Sequence, residues 1–328
     1  MVKSIGSNFQ LFTRLFSVPF HRPDTSEEVT KLQYRTLLLE LLKHIPIQPQ
    51  AQQRPCSDLT DAIYSRLGPV TSDQSLARAG SKIGTLVAIY FYPLHRDHCQ
   101  FLIELYAAAY LVLDDLGPAM VSEISQFRMR LLQQAENQPG VFGLLVMLFE
   151  DFDREYSTPC ANKLFTSVVN TLSILEVECD SSAAFKGPAS PLFPKYFRNM
   201  TGSSEAFVYF LRPKDIFSMA RMKLLLQGVP ELLDITDGIN DLLSFYKESV
   251  VGDERDTYVY QKSRVDGVSV RQTLQSLSRE IIRRYALIQR IFKDDPVLQE
   301  LGSRYVEGQI EFYFACERYR LSELGWST

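Results

Sequence analysis

Three oxygen-bearing side chains in the segment NDLLSFYKE, residues 240–248, are spaced for one face of a helix. Asn240, Ser244 and Glu248 stand at positions i, i+4 and i+8, and a helix of 3.6 residues per turn keeps such positions on one side. The segment is therefore either an ordinary amphipathic helix with a polar side or a cation site with three oxygen ligands.

A second candidate for chemistry is the pair Asp114 and Asp115, which ends the segment FLIELYAAAYLVLDD at residues 101–115. A helix that is apolar around most of its circumference is buried, so the two carboxylates are predicted at the rim of an interior. Unpaired carboxylates there are costly unless they are protonated, salt-bridged or bound to metal. An adjacent Asp pair alone is more often simply solvated, which is the prediction for Asp294 and Asp295 at a loop or helix start.

Two oxygen-rich helix ends that face each other can capture a diphosphate through Mg²⁺, a hard cation that keeps water and substrate phosphate among its ligands. Asp114 would supply one side of such a site, and the segment 240–248 the other. Bound metal would stabilise the charge on the leaving diphosphate, and an apolar, aromatic-lined cavity would shield the resulting cation from water. The candidate lining residues, on the two helices that lead to the aspartates, are Tyr90, Phe91, Tyr92, Tyr106 and Tyr110.

The elements that must position these residues are helices. Helical periodicity runs through nearly every extended segment and none alternates like a strand, so the chain is predicted to be all-α. Its 328 residues, 45% of them hydrophobic, can fill the single core of a large helical bundle. The polar, aperiodic segment 250–269 is predicted to be a mobile loop. The predicted helices are 26–44, 58–67, 74–92, 96–115, 119–136, 141–153, 160–178, 191–210, 215–226, 229–249, 267–293 and 296–323.

Composition limits the partners and the compartment. A formal charge of −4 gives no electrostatic reason to expect nucleic acid or an anionic membrane as partner. The five cysteines are scattered and lack a C-x-x-C pair, which indicates reduced thiols in a cytoplasmic protein. The N-terminus holds no complete signal-peptide core or membrane span, and a mitochondrial transit peptide is the alternative. The histidines form no metal spacing, and His95 and His98 are predicted at a helix end or on the surface.

From about residue 60 to the C-terminus, five segments in order resemble the fungal class I sesquiterpene cyclases of the trichodiene synthase type. These segments are LVLDD (111–115), YFRNMTG (196–202), RPKD (212–215), NDLLSFYKE with DERD following (253–256), and CERYRL (316–321). The match is weaker in the N-terminal segment 1–55. The resemblance implies one domain, residues 1–328, folded as an α-helical bundle with a central apolar cavity. It further implies three Mg²⁺ ions, farnesyl diphosphate as substrate, a sesquiterpene product and a homodimer.

The resemblance also implies roles for individual residues. The metal ligands would be Asp114, Asn240, Ser244 and Glu248. The diphosphate would be bound by Arg198, at the diphosphate-sensor position, and by Lys247, Arg318 and Tyr319. Asp115 would form a salt bridge with Arg318 when the site closes. Thr201 and Gly202 match the linker and effector positions at a helix break, and Tyr110 remains a candidate for the cavity wall.

One departure from the family pattern is the loop after the aspartates. The family motif is usually D-D-x-x-D or D-D-x-x-x-D/E, whereas this chain has DDLGPAM and no third acid before Glu123. Loop closure and product identity are therefore the points at which this chain can differ, and hydrocarbon and alcohol products both stay open. Two alternative functions also stay open. One is a prenyl chain-elongating transferase, and the other is a degenerate helical protein that only binds isoprenyl diphosphates.

Overall fold

The computed structural model describes residues 29–47, 56–133, 138–179, 190–215 and 218–325. Within those ranges the chain forms thirteen α-helices and no strand, so the all-α prediction is confirmed. A π-helical turn, Tyr246–Val250, follows the tenth helix. The helices are α1 (Lys31–His44), α2 (Cys56–Leu67), α3 (Gln74–Phe91), α4 (Asp97–Leu116), α5 (Val121–Leu132), α6 (Gly140–Glu155), α7 (Thr158–Cys179), α8 (Phe193–Thr201), α9 (Ser204–Tyr209), α10 (Met219–Leu243), α11 (Tyr258–Asp266), α12 (Val270–Phe292) and α13 (Pro296–Ala315).

Four predicted boundaries are wrong in ways that matter for the site. The predicted helix 296–323 ends at Ala315, and Arg318 lies in a separate short turn, Glu317–Tyr319. The predicted helix 191–210 is two helices, α8 and α9, because Ser203 adopts a left-handed conformation with φ of 51°. The predicted helices 215–226 and 229–249 are largely one helix, α10, which continues through Pro230. The predicted loop 250–269 contains α11.

Burial explains the last two differences. Pro230 removes one N–H from α10, but buried side chains on both sides of it pack the helix against α12 and α13. In α11 the buried residues are Val259 and Ser263, one turn apart, so the helix shows little hydrophobic periodicity. Gly267 ends α11 with φ of 66°, a conformation that glycine adopts without strain.

Helix α4 is buried along most of its length, as its sequence predicts, and it packs mainly against α3. The backbones approach closely at Gly84, where a Cβ atom would lie 3.0 Å from the Ala108 nitrogen. Helix α13 approaches α3 in the same way at Gly308, where a Cβ atom would lie 2.7 Å from the Tyr90 carbonyl carbon. These contacts bring the C-terminal ends of α4, α10 and α13 around one cavity.

Asp295 caps the N-terminus of α13 by accepting hydrogen bonds from the amides of Val297 and Leu298, which confirms the predicted helix start. The prediction of a simply solvated pair is wrong for Asp295, whose Oδ2 lies 2.8 Å from Arg221 Nε and whose side chain is 19% exposed. The free, buried thiols among the described side chains are Cys99, Cys160 and Cys316. No helix in the described ranges is both long and apolar enough to cross a membrane.

His95 lies directly before Arg96, the N-cap of α4, so the predicted helix end is confirmed, whereas the predicted surface position is wrong because the residue is only 3% exposed. Its Nε2 lies 2.8 Å from the Phe210 carbonyl oxygen, because the turn between α3 and α4 packs against the end of α9. His98 is exposed and lies 3.5 Å from Glu155.

Candidate active site

A cavity of about 360 Å³ lies at the C-terminal ends of α4, α10 and α13. Its apolar lining consists of Ile83, Val87, Phe91, Ala107, Leu111, Pro194, Phe197, Phe207 and Phe312. Its charged lining consists of Asp114, Arg198, Asp241, Lys247, Glu248, Glu254, Asp256 and Arg318. This combination suits a ligand that has an apolar body and a charged head.

Asp114 lines this cavity, and burial raises the pKa of its carboxyl to about 6. Asp115 also raises this pKa, while Arg318 and Lys247 lower it. Glu248 raises it as well, so the two predicted metal-binding segments are close enough to interact electrostatically. Each of these neighbouring carboxylates disfavours ionised Asp114 in the absence of a cation.

The second predicted metal motif spans the end of α10 and the π-helical turn. The amide of Ser244 donates to the Asn240 carbonyl at 2.9 Å, and the amide of Glu248 donates to the Ser244 carbonyl at 3.0 Å. Asn240 and Glu248 line the cavity. Ser244, midway between them in the sequence, is 2% exposed and is not among the described lining residues. The helical register that the i, i+4, i+8 spacing requires is therefore kept across the junction.

Arg198 contacts three side chains of α10. Its Nε donates to Asp241 Oδ1 at 2.7 Å, and its Nη2 donates to Asn240 Oδ1 at 2.8 Å. Its Nη1 lies 3.4 Å from Asp237 Oδ1. Burial lowers the pKa of Arg198, but Asp241 and Asp237 raise it more, so the guanidinium stays charged. In this state the amide oxygen of Asn240 is held by a protein cation.

Tyrosines of α4 hold the break between α8 and α9. The Tyr110 hydroxyl donates to the Thr201 carbonyl at 2.6 Å, and the Tyr106 hydroxyl lies 2.5 Å from the Ser203 hydroxyl. The Thr201 hydroxyl donates to the backbone carbonyl of Arg198 at 3.4 Å. The break is thus fixed to α4 by two hydroxyl groups that come from successive turns of that helix.

Gly202 lies against the guanidinium of Arg198. A Cβ atom on Gly202 would lie 2.8 Å from Asp237 Oδ1 and 2.9 Å from the Ser204 hydroxyl, and closer still to Arg198 Nη1. The backbone of Gly202 has φ of −78°, which any residue adopts. Glycine is therefore required here because the neighbouring side chains leave no room for a Cβ atom, and not because of the backbone conformation. The Ser204 hydroxyl donates to Asp237, so that carboxylate joins α9 to the Arg198 contact.

The remaining predicted diphosphate ligands line the same cavity. Lys247 Nζ lies 3.7 Å from Glu248 Oε1, and Arg318 Nη2 lies 4.0 Å from Asp115 Oδ1. The Tyr319 ring packs on the Tyr313 ring with centroids 4.3 Å apart. The short helical turn after α13, Glu317–Tyr319, brings Arg318 and Tyr319 to the charged side.

The predicted aromatic lining is only partly right. Phe91 and Tyr110 line the cavity, but among the described residues Tyr90, Tyr92 and Tyr106 do not. Tyr92 and Tyr106 turn their hydroxyls to the Phe207 carbonyl and to Ser203, in the core between α3, α4 and α9. Periodicity could not separate core rings from cavity rings, because both are buried. The aromatic residues that the prediction missed are Phe197, Phe207, Tyr258, Phe312 and Tyr313.

Comparison with known proteins decides the family. The trichodiene synthase (TRI5) family model matches residues 68–326, most of the chain. The chain belongs to the trichodiene synthase family. Its relatives are terpene synthases, and the chain is a terpene synthase by that membership.

The relatives are distant in sequence. An (E)-beta farnesene synthase of Metarhizium brunneum is 26% identical over 73% of this chain and 73% of its own length. Terpene synthase BipA of Cochliobolus sativus is 25% identical over 87% of this chain and 88% of its own. Trichodiene synthase of Fusarium sporotrichioides is 25% identical over 75% of this chain and 67% of its own.

Two solved structures show the same fold. A single-substitution variant of cucumene synthase superposes with a TM-score of 0.60 at 15% identity, covering 82% of this chain and 99% of that one. A linalool/nerolidol synthase from Streptomyces clavuligerus, in complex with 2-fluorogeranyl diphosphate, gives a TM-score of 0.57 at 13% identity, covering 82% and 97%. The class I terpene synthase fold predicted from the sequence is confirmed.

Within this family fold, the sequence prediction missed four acidic residues in or beside the cavity lining, namely Asp237, Asp241, Glu254 and Asp256. Asp237 and Asp241 form ion pairs with Arg198. In the sequence they could have been noticed as part of a row of acidic residues at helical spacing on α10, which also includes Asp234 and Glu231. Those two pair with Arg284. Burial and, to a smaller extent, the charge of Glu248 raise the pKa of Glu254 to about 7. Glu254 and Asp256 belong to DERD, residues 253–256, which is part of the sequence pattern that resembles the family.

Proposed function

We propose that this chain is a sesquiterpene synthase that ionises farnesyl diphosphate with Mg²⁺ and cyclises the resulting cation with release of diphosphate. The observation that carries the proposal is one cavity with an apolar interior and with its charged residues gathered at the ends of α4, α10 and α13. Membership of the trichodiene synthase family and an (E)-beta farnesene synthase among the relatives support it.

The residues that would hold Mg²⁺ are Asp114 on one side and Asn240, Ser244 and Glu248 on the other, with the three ions that the resemblance implies. In the described residues no three His, Cys, Asp or Glu side chains form a metal cluster, and the proposed set instead mixes carboxylate, amide and hydroxyl oxygens. Such donors suit a hard cation. The raised pKa of Asp114 supports a cation here, since a positive charge would favour its ionised form. Bound Mg²⁺ supplies charge neutralisation that makes diphosphate a better leaving group.

The chain's own cations would bind the diphosphate oxygens. Arg198, Lys247 and Arg318 line the cavity within the same charged group, and Tyr319 adds a hydroxyl. Arg198 would exchange its contact with Asn240 for diphosphate, which frees the Asn240 amide oxygen as a ligand. Arg318 would form a salt bridge with Asp115 when the site closes around the substrate.

The apolar part of the cavity would fold and protect the cation. The rings of Phe91, Phe207 and Phe312 offer faces that stabilise positive charge, and they exclude water. The helix break at Thr201 and Gly202 would turn a backbone carbonyl toward the cation. Tyr110 would keep that break in place through its hydrogen bond to the Thr201 carbonyl.

The test is a substrate panel with the purified full-length protein. Geranyl, farnesyl and geranylgeranyl diphosphate are each incubated with MgCl₂ or with EDTA, released diphosphate is measured, and the organic extract is analysed by gas chromatography and mass spectrometry. We expect Mg²⁺-dependent release with farnesyl diphosphate in parallel with cyclic sesquiterpene. Acyclic products alone would refute cyclisation, and a faster reaction with another chain length would refute the substrate.

The two alternatives are separated in the same experiment. A chain-elongating transferase would make longer isoprenyl diphosphates when isopentenyl diphosphate is added, whereas a cyclase would not. A degenerate protein would bind the substrates without releasing diphosphate from any of them. The homodimer, the cytoplasmic location and the single domain of residues 1–328 stay predictions. Light scattering, fluorescence microscopy of a tagged chain and limited proteolysis would test them.

A further inference from the structure

The lining of the cavity includes uncharged polar side chains, and Gln309 is one of them. Gln309 on α13 is 1% exposed and is a lining residue. Its amide nitrogen donates to the Tyr305 carbonyl at 3.2 Å, one turn back along the helix. A carbonyl oxygen only accepts hydrogen bonds, so this contact fixes which end of the amide is the nitrogen. The opposite atom, Gln309 Oε1, has no hydrogen-bond partner among the residues that the structure describes.

Thr236 on α10 supplies a second acceptor in the cavity lining. Its hydroxyl donates to the Leu232 carbonyl at 2.8 Å, so the Tyr305 hydroxyl, 2.9 Å away, must be the donor to Thr236 Oγ1. One lone pair of Thr236 Oγ1 remains. Tyr305 therefore anchors both Thr236 and Gln309, through its hydroxyl and its backbone carbonyl.

These two acceptors lie one helical turn deeper than the second predicted metal motif. Asn240 Nδ2 donates to the Tyr313 hydroxyl at 2.5 Å, which joins α10 to α13 at the charged side. Thr236 and Gln309 each stand four residues earlier on the same two helices, a rise of about 6 Å along the helix axis. Their free acceptor sites therefore belong to the part of the cavity that an isoprenyl chain would fill.

An isoprenyl chain carries no N–H or O–H group, so it cannot satisfy a buried carbonyl oxygen. The donor that can enter a filled apolar cavity is a water molecule trapped with the substrate, provided that it finds at least two polar partners. We propose that Gln309 Oε1, together with Thr236 Oγ1, holds one water molecule that quenches the final cation, so that the product is a sesquiterpene alcohol. This inference rests on the proposed function and specifies its product class.

The proposed step needs no co-reactant other than the water molecule. Heterolysis of the C–O bond leaves the electron pair on diphosphate and the positive charge on carbon. A lone pair of the water oxygen then forms a new C–O bond with the cyclised cation. One O–H bond of that water breaks, and its proton passes to the released diphosphate, because an amide oxygen is too weak a base to keep it. Gln309 and Thr236 position the water and are not consumed.

The test compares Gln309→Met with Gln299→Met in ¹⁸O-labelled water. Methionine matches glutamine in length but has no carbonyl acceptor. Gln299 lies on the same helix outside the cavity lining of the described residues, so it controls for the substitution itself. The readouts are released diphosphate, the ratio of alcohol to hydrocarbon, and ¹⁸O in the alcohol.

We expect the wild type and Gln299→Met to give one main cyclic alcohol that carries ¹⁸O. Gln309→Met should lower the alcohol to hydrocarbon ratio by about tenfold or more, while released diphosphate changes by less than about threefold. A wild type that makes only hydrocarbon would overturn the inference, and so would an unchanged ratio in Gln309→Met. Diphosphate release in those cases leaves the proposed function standing, whereas absence of release in the wild type overturns the function itself.

Discussion

Replacing Gly202 with alanine would add one methyl group beside the guanidinium of Arg198. That methyl group would lie 2.8 Å from Asp237 Oδ1 and closer still to Arg198 Nη1. Carbon and nitrogen atoms pack at about 3.5 Å, so Arg198 Nη1 must withdraw by more than about 0.7 Å. The contact between Arg198 and Asp237, already 3.4 Å long, would then be lost.

The cost to stability is predicted to be small. The backbone of Gly202 has φ of −78°, which alanine adopts freely, and the loss of glycine flexibility in the unfolded chain stabilises by about 0.4–1 kcal/mol. Overpacking opposes this by about 1–3 kcal/mol, but here the crowded atoms end a flexible side chain. Asp237 would keep its contacts with Lys195 and the Ser204 hydroxyl, so Gly202→Ala should lower the free energy of unfolding by about 1–2 kcal/mol.

The cost to activity is predicted to be large. A displacement of about 1 Å at a reacting group reduces the rate by about a hundredfold, and that is the loss expected in diphosphate release from farnesyl diphosphate. Gly202→Ala is also made in an Arg198→Met background. If the methyl group acts through Arg198, it causes no further loss there, because the two changes are not additive. Wild-type turnover in Gly202→Ala, or a full additional loss in the Arg198→Met background, would refute the reasoning.

Gly308→Ala should lower the free energy of unfolding by more than about 3 kcal/mol, because its methyl group would collide with the backbone of Tyr90, which cannot move aside as a side chain can. Urea unfolding measures this change. A loss below about 1 kcal/mol would contradict the close contact between α13 and α3. Burial lowers the pKa of His95 to about 4, although the Phe210 carbonyl raises it. Because the folded chain binds fewer protons than the unfolded chain between pH 4 and 6.5, His95 should cost the wild type about 2 kcal/mol at pH 5 relative to neutral pH. In His95→Gln this loss of stability between neutral pH and pH 5 should be absent. Buried carboxyl groups also change stability over this pH range, but they are the same in both proteins, so their effect cancels when the two are compared. Equal pH dependence in the two proteins would argue against a neutral His95.

The spacing of Asn240, Ser244 and Glu248 predicted a helical face because residues four apart lie on the same side of a helix, and that spacing can be read from the sequence alone. The same is true of α4, whose apolar run predicted a buried helix with Asp114 and Asp115 at its C-terminal end. Neither inference needed tertiary information, and both describe elements that the structure contains.

The partners of Arg198 could not be predicted in the same way. Asp237 and Asp241 stand on α10, about forty residues from Arg198, and only the packing of α8 on α10 brings these charges together. Gly202 was assigned by resemblance, but its crowding against Arg198 is a property of three-dimensional contact. Helix α11 was missed because its stability depends on two buried residues and not on a hydrophobic stripe.

The central claim is that Asp114 belongs to a Mg²⁺-dependent diphosphate site opposite the end of α10. Its most direct test is the rate of Mg²⁺-dependent diphosphate release from farnesyl diphosphate by Asp114→Asn. The matched control is Asp294→Asn, which makes the same change at an exposed aspartate that also precedes a second aspartate in the sequence. We expect Asp114→Asn to lose at least about a thousandfold in rate with an unchanged circular dichroism spectrum, and Asp294→Asn to match the wild type. Release by Asp114→Asn within about tenfold of the wild type would contradict the claim.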